Sequence, residues 1–143
     1  MQQFTEQQYR DVMFRFTGIK TYAKTTKEII CVNFEMATRL HETEIVVDSL
    51  YWWYENKYPN NIEYELYPRG TQEMRDEDWH FIKKYPAPTT EELLPIYIQI
   101  LEKANIKYHN ATVMIGVLAL ETRDGQKFCE LLAREILKGT HND

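Results

Sequence analysis

Apolar positions recur at helical spacing near both ends of the chain. Tyr9, Val12, Met13 and Phe16 form one stripe. Thr5 with Gln8 has the spacing of a capping box, Phe4 with Tyr9 that of a hydrophobic staple, and Gly18 suits a helix end. Toward the other end, Phe128, Leu131, Leu132 and Ile136 form a second stripe, with Asp124 as its N-cap, Lys138 in its last turn and Gly139 at its end. Residues 140–143 read as a loose tail. After a further capping-box pair, Thr25 and Glu28, helical spacing links Ile29, Val32, Met36 and Leu40, and also Ile30, Phe34 and Ala37. No breaker intervenes before Pro59. Residues 26–57 therefore read either as one helix, about 48 Å long at 1.5 Å per residue, or as two helices divided near His41–Thr43.

Other segments carry a different rhythm. Ile62, Tyr64 and Leu66 alternate with Glu63, Glu65 and Tyr67, which predicts a half-buried strand between turns at Tyr58-Pro59-Asn60-Asn61 and Pro68-Arg69-Gly70. Residues 71–78 are polar and acidic, a loop or a helical turn. Tyr85-Pro86-Ala87-Pro88 must be extended, because each proline disfavours helical geometry in its predecessor. Thr89 with Glu92 then marks a restart. An interior proline costs a helix about 3 kcal/mol, so Pro95 predicts a short turn at 89–94 and a new helix with Pro95 in its first turn. Ile96, Ile100 and Leu101 face inward in that helix, and Asn105 closes it. Residues 111–121 form a continuous apolar run. Asn110 as a cap suits a helix, whereas the β-branched content and Gly116 suit a strand. The reading favoured is a strand, paired with 62–67. The sum is a mainly α-helical single domain over 1–143 with a small β element; α+β is the alternative.

Composition narrows the setting. A chain of 143 residues can bury one proper core. No stretch approaches the roughly 20 apolar residues that cross a bilayer. Met1–Glu6 lacks the basic start and apolar run of a secretory signal. Cys31 and Cys129 lie in amphipathic segments, which predicts reduced, buried thiols. The expected location is the cytoplasm. The net charge of −5 is uneven: residues 1–39 carry +2, residues 40–95 carry −7 and residues 96–143 are neutral. An acidic middle argues against a nucleic-acid binder.

Ten tyrosines and an aromatic fraction of 13% point toward contact surfaces. Tyr51-Trp52-Trp53-Tyr54 falls in this helical run; at 100° per residue the four cover nearly the whole circumference and cannot share one core. Leu50 and Trp53 would join Val46; Tyr51, Tyr54 and Tyr58 would join Val47. Trp52 would fall among polar neighbours, with Ile45, Asp48, Glu55 and, in an unbroken helix, His41. That face is the expected partner-binding surface; the competing reading is that another segment of the chain covers Trp52. Glu73, Asp76, Glu77 and Asp78, with Glu63 and Glu65, would add a carboxylate array able to meet a basic partner, against the plainer reading of a solvated surface. Catalytic patterns fail. His41-Glu42-Thr43-Glu44 begins like a zinc-protease helix, but Ile45 stands where the second histidine belongs. Asp76 and His80 have helical spacing without a third ligand nearby. No nucleophile elbow or phosphate-binding glycine loop is present. Lys20, Lys24 and Lys27, near Tyr22, make a weak basic patch. No catalytic residue, metal or cofactor is expected. A homodimer through the aromatic face, and an aromatic-lined ligand or enzyme pocket joined by His41 or His80, are the rivals to binding of another protein.

Tyr85-Pro86-Ala87-Pro88-Thr89-Thr90-Glu91-Glu92-Leu93-Leu94-Pro95 resembles a segment of small uncharacterised proteins of bacteriophages and prophages of gut bacteria. The resemblance covers residues 85–138. It implies an aromatic-Pro-Ala-Pro turn, a short helix, irregular or β structure and a C-terminal amphipathic helix. It implies no catalytic residues. A mobile-element origin would follow from it, and with that origin an expected role as an inhibitor of a host or defence protein.

Overall fold

A computed structural model describes residues 4–17, 30–68, 83–122 and 124–141. The chain is mainly helical with a small antiparallel sheet. Its elements run α1 (Glu6–Thr17), α2 (Phe34–Glu42), β1 (Tyr51–Tyr58), β2 (Asn61–Pro68), β3 (Lys84–Pro86), α3 (Thr90–Lys103), α4 (Tyr108–Thr122) and α5 (Gly125–His141). They group into two compact units: a helical unit of residues 1–30 and 90–143, and a sheet unit of residues 31–89.

In the helical unit, α1 begins as its sequence predicts. The Thr5 backbone N–H donates to Gln8 Oε1 at 2.9 Å, and the Gln8 N–H donates to Thr5 Oγ1 at 3.1 Å, a reciprocal capping box. Val12 and Phe16 are its buried positions. Helix α3 starts directly after Thr89 and runs through Pro95, so the expected fresh start at Pro95 is not made. The ring removes one hydrogen bond, to the Glu91 carbonyl. Burial of Leu93, Leu94, Tyr97, Ile98 and Leu101 along the helix offsets that loss. Asn105 does close α3: it adopts φ 62°. Ile106 N–H donates to the Leu101 carbonyl and Asn105 N–H to that of Glu102, the paired bonds of a Schellman end. Asp124 caps α5, its Oδ1 accepting from the Lys127 N–H at 3.0 Å. Gly139 does not end α5, which continues to His141, so the expected loose tail at 140–143 is helical over its first two residues. A Cβ at Gly139 would lie 3.0 Å from Ile100 Cγ2, so this glycine serves close approach of α5 to α3.

Residues 111–121 form part of α4 rather than the expected strand. A helix satisfies its backbone groups internally, whereas a buried strand needs neighbours on its edges. Continuous hydrophobicity conceals the choice because both faces of α4 are apolar. Ala111 and Ile115 are fully buried, while Val113, Met114, Val117 and Leu120 are exposed. In the segment of phage resemblance, this helix stands where irregular or β structure was implied.

The sheet unit holds the largest departure. Residues 26–57 are neither one helix nor two. Among the described residues of that span, α2 covers Phe34–Glu42 and β1 covers Tyr51–Tyr58, with an irregular link between them. The Thr25–Glu28 start lies outside the described residues. The N-cap of α2 is Asn33, whose Oδ1 accepts from the Met36 N–H at 2.9 Å. Thr43 is its C-cap, not the N-cap of a second helix. Glu44 follows in the left-handed region at φ 58°. Beyond it, Tyr51 to Tyr54 favour a strand for a steric reason: a strand places these four rings two to a face, where a helix would distribute them around its circumference. Pro59-Asn60 turns the chain, and β2 pairs antiparallel with β1 along its whole length. Thus β2 finds its partner in the aromatic segment and not in 111–121. The short β3 pairs with the other edge of β1, giving the order β2-β1-β3. Pro86 is tolerated because β3 is an edge strand among the described residues.

Candidate functional site

The aromatic sheet is the place where contact chemistry concentrates. Its register sorts side chains into two faces, since directly opposed residues share a face. Trp53 lies opposite Leu66 on one side and Tyr85 on the other, and Glu55 lies opposite Tyr64. This first face packs on α2. Phe34 stacks on Tyr64 with ring centroids 4.0 Å apart and meets Trp53 and Tyr85 edge-on at 6.2 and 5.6 Å. His41, in the last turn of α2, contacts Tyr85 edge-on at 5.3 Å. Trp53 Nε1 donates to the Val32 carbonyl at 3.0 Å, tying the sheet to the segment that leads into α2.

Glu55 is 95% withdrawn from solvent, at 5% exposure, within this aromatic packing. Tyr64 OH donates to Glu55 Oε2 at 3.1 Å. Burial raises the Tyr64 phenol above its usual range, reinforced by the hydrogen bond to Glu55, the Glu55 charge and Tyr85. The folded chain therefore holds this proton at higher pH than the unfolded chain does. The stability so contributed is intact below pH about 10 and is lost as pH rises through the folded value. Tyr64→Phe is expected to destabilise the sheet unit by about 1–2 kcal/mol at neutral pH. The gap between wild type and variant should narrow above pH about 10. Urea melts across pH 7 to about 11 check this; a gap that widens with alkali contradicts it.

On the second face, Trp52 stands opposite Tyr67 and Pro86, and Tyr54 opposite Glu65 and Lys84. Asn56 opposes Glu63, so the carboxylates of Glu63 and Glu65 continue the row that Tyr67 starts. Trp52 is half-buried; its Nε1 donates to the Ser49 carbonyl at 3.0 Å. Lys84 Nζ lies 5.1 Å from the centroid of the Trp52 ring, a cation–π distance. Tyr67 OH donates to Glu65 Oε2. Buried Tyr54 lies 5.8 Å from Tyr67, centroid to centroid. Ser49, also buried, links the start of β1 to the chain beyond β3: its Oγ donates to the Ala87 carbonyl at 3.0 Å and accepts from the Tyr51 N–H at 3.3 Å.

The face expected from a helical wheel is not formed. Trp52 and Glu55 lie on opposite faces of the sheet because their positions differ by an odd number in a strand. Glu55 is buried rather than presented to a partner. His41 belongs to α2, and Ile45 and Asp48 lie in the link before β1, where Asp48 Oδ1 accepts from the Ser49 N–H. The expected array members Glu73, Asp76, Glu77 and Asp78, and His80, lie outside the described residues; so do Lys20, Tyr22, Lys24 and Lys27. What the helical reading missed is the Trp52–Tyr67 pair with Glu63 and Glu65 beside it. The signal was present: two β-favouring runs separated by Pro59-Asn60 define a hairpin whose register follows by counting outward from the turn.

Among the described residues, no group of three or more His, Cys, Asp or Glu is placed to hold a metal ion. Cys31 and Cys129 are buried thiols, as expected. No described helix is long and apolar enough to cross a membrane. No protein family, curated protein or solved structure matches this chain.

Proposed function

We propose that this chain is a non-enzymatic binding protein whose sheet unit engages another protein through its aromatic and acidic face. The observation that carries the reading is the register of β1 and β2, which sets Trp52 beside Tyr67 with Glu65 and Glu63 along the same row. Aromatic anchors flanked by carboxylates suit a partner with a basic binding surface. Charge partition supports this. Residues 31–89 hold eleven Asp/Glu and six Lys/Arg, a net of −5, which equals the net charge of the whole chain. The concrete form of the proposal is a phage or mobile-element inhibitor of a host or defence protein, acting in the host cytoplasm. It draws on the sequence resemblance of residues 85–138.

The test is affinity capture from bacterial lysate, with wild type and two variants. Trp52→Ala should reduce capture of the main partner at least tenfold while costing the fold only about 1–2 kcal/mol, the lost hydrogen bond to Ser49 included. Glu63→Lys, on an exposed rung, should weaken capture without a change in melting. Capture that survives both substitutions sinks the assignment of this face.

A further inference from the structure

The outer edge of β2 offers backbone groups as well as side chains. The order β2-β1-β3 leaves β2 with β1 on one side and, among the described residues, no strand on the other. Which of its residues turn outward follows from β1. The Tyr51 carbonyl accepts from the Ala87 N–H, and the Glu55 N–H donates to the Lys83 carbonyl, so odd-numbered residues of β1 aim their backbone groups at the β3 side. Even-numbered residues therefore bond to β2, where their partners are Asn61, Glu63, Glu65 and Tyr67. Ile62, Tyr64 and Leu66 lie between these and direct their N–H and C=O groups away from the sheet. Among the described residues, nothing takes up those outward groups. Pro68, with no N–H, ends the row of donors. Such a row is a template for a further strand.

We propose that this edge takes up an extended, basic segment of the partner protein as a further strand, antiparallel to β2. The inference rests on the reading of the sheet face as a protein-binding surface, and it names how the partner sits there. The open backbone groups specify an extended chain. The side chains specify its pattern. Glu63 and Glu65 alternate with the outward residues and stand on the second face. In an antiparallel pair, the residues opposite them belong to the pairs whose Cα atoms approach most closely, about 4.5 Å. Lys or Arg at those two positions, two residues apart in the incoming strand, meets a carboxylate directly across. On the first face the incoming residues lie opposite Ile62, 57% exposed, and the half-buried Tyr64 and Leu66, which suits β-branched apolar side chains. The same carboxylates select against a second copy. When β2 pairs with itself antiparallel about a two-fold axis, every register that matches two or more outward residues sets Glu63 against Glu63 or Glu65, or Glu65 against its own copy. Like charges directly opposite destabilise the pairing. A basic segment meets no such penalty.

The probe is a capped peptide, Thr-Val-Lys-Val-Lys-Val-Thr, titrated into the isotope-labelled full chain. It should bind with a dissociation constant on the order of 100 µM at low salt. Bound peptide should slow hydrogen exchange at the Ile62, Tyr64 and Leu66 amides. Methylating the backbone nitrogen of the central valine, whose N–H points to β2, should weaken binding about tenfold or more. Methylating a lysine backbone nitrogen, whose N–H points away, should change binding less than about threefold. Glu63→Lys should weaken it about tenfold. Ile62→Pro removes an outward donor but no bond to β1 and should do the same; the methylated peptides decide the matter if that variant folds poorly. Equal effects of the two methyl groups, or no binding up to about 5 mM peptide, overturn strand addition. So does a solution mass of twice 17.2 kDa that Ile62→Pro returns to 17.2 kDa, since the edge then belongs to a second copy. The edge and the face fail separately. Lysate capture lost with Trp52→Ala but kept with Ile62→Pro overturns the edge and leaves the face; the reverse pattern keeps the edge and removes Trp52 as an anchor.

Discussion

Trp53→Ala is expected to destabilise the sheet unit by roughly 3–5 kcal/mol, the range for removing a packed tryptophan. The ring is half-buried and central to the first face. It meets Phe34 edge-on at 6.2 Å and stands in register with Leu66 and Tyr85. Its N–H is also the donor to the Val32 carbonyl. Val32 is fully buried, and its own N–H donates to the Pro88 carbonyl, so the truncation weakens the segment that joins α2 to the chain after β3. Trp53→Phe should lose about 1 kcal/mol or slightly more, because the ring contact is largely kept and the hydrogen bond is not. The neighbouring Trp52→Ala should cost clearly less than Trp53→Ala. Hydrogen exchange of β1 and β2 amides, read beside urea unfolding, separates these outcomes. If Trp52 and Trp53 prove equally costly, the sorting of the two rings to faces of unequal structural weight is wrong.

The second large effect is expected in the helical unit. Phe128 is fully buried on α5, one turn before Leu132, which is fully buried as well. Phe128→Ala removes a fully buried ring and leaves a cavity that its packed surroundings close only in part, for a loss of about 3–5 kcal/mol. Against a total stability on the order of 5–15 kcal/mol, that is a large share. The measurement is the urea midpoint followed by helical circular dichroism, with the slope of the transition unchanged. Phe14→Ala, at an 88% exposed position on α1, is the control and should change the stability by less than about 0.5 kcal/mol. A Phe128→Ala effect as small as that of the control would contradict the packing of α5.

How legible the fold is from sequence depends on where the deciding interaction lies. The starts of α1 and α5 are readable because Thr5, Gln8 and Asp124 act on backbone groups three residues away. The end of α3 at Asn105 is equally local. The strand of Asn61–Pro68 shows through its alternation. The aromatic segment does not, because apolar spacing upstream of it carries the helical period past the real end of α2. Once read as a helix, it yields a site of His41, Ile45, Asp48, Trp52 and Glu55 that a strand cannot assemble. Two of the side chains that matter in its place, Tyr67 and Glu65, come from β2, and only strand pairing brings them to Trp52.

The sequence by itself determined the balance of mostly helix with a little strand, the capped starts of α1 and α5, the end of α3 at Asn105, the extended proline segment before α3 and the acidity of the middle of the chain. Each follows from chemistry within a few residues or from composition. Tertiary structure alone decided that Tyr51–Tyr58 is the central strand, that Glu55 is buried against Tyr64, and that Gly139 lets α5 approach α3. It also decided that α4 turns an uncharged face outward. The reason is common to all four: identical local patterns satisfy more than one backbone conformation, and the partner that selects among them lies elsewhere in the chain.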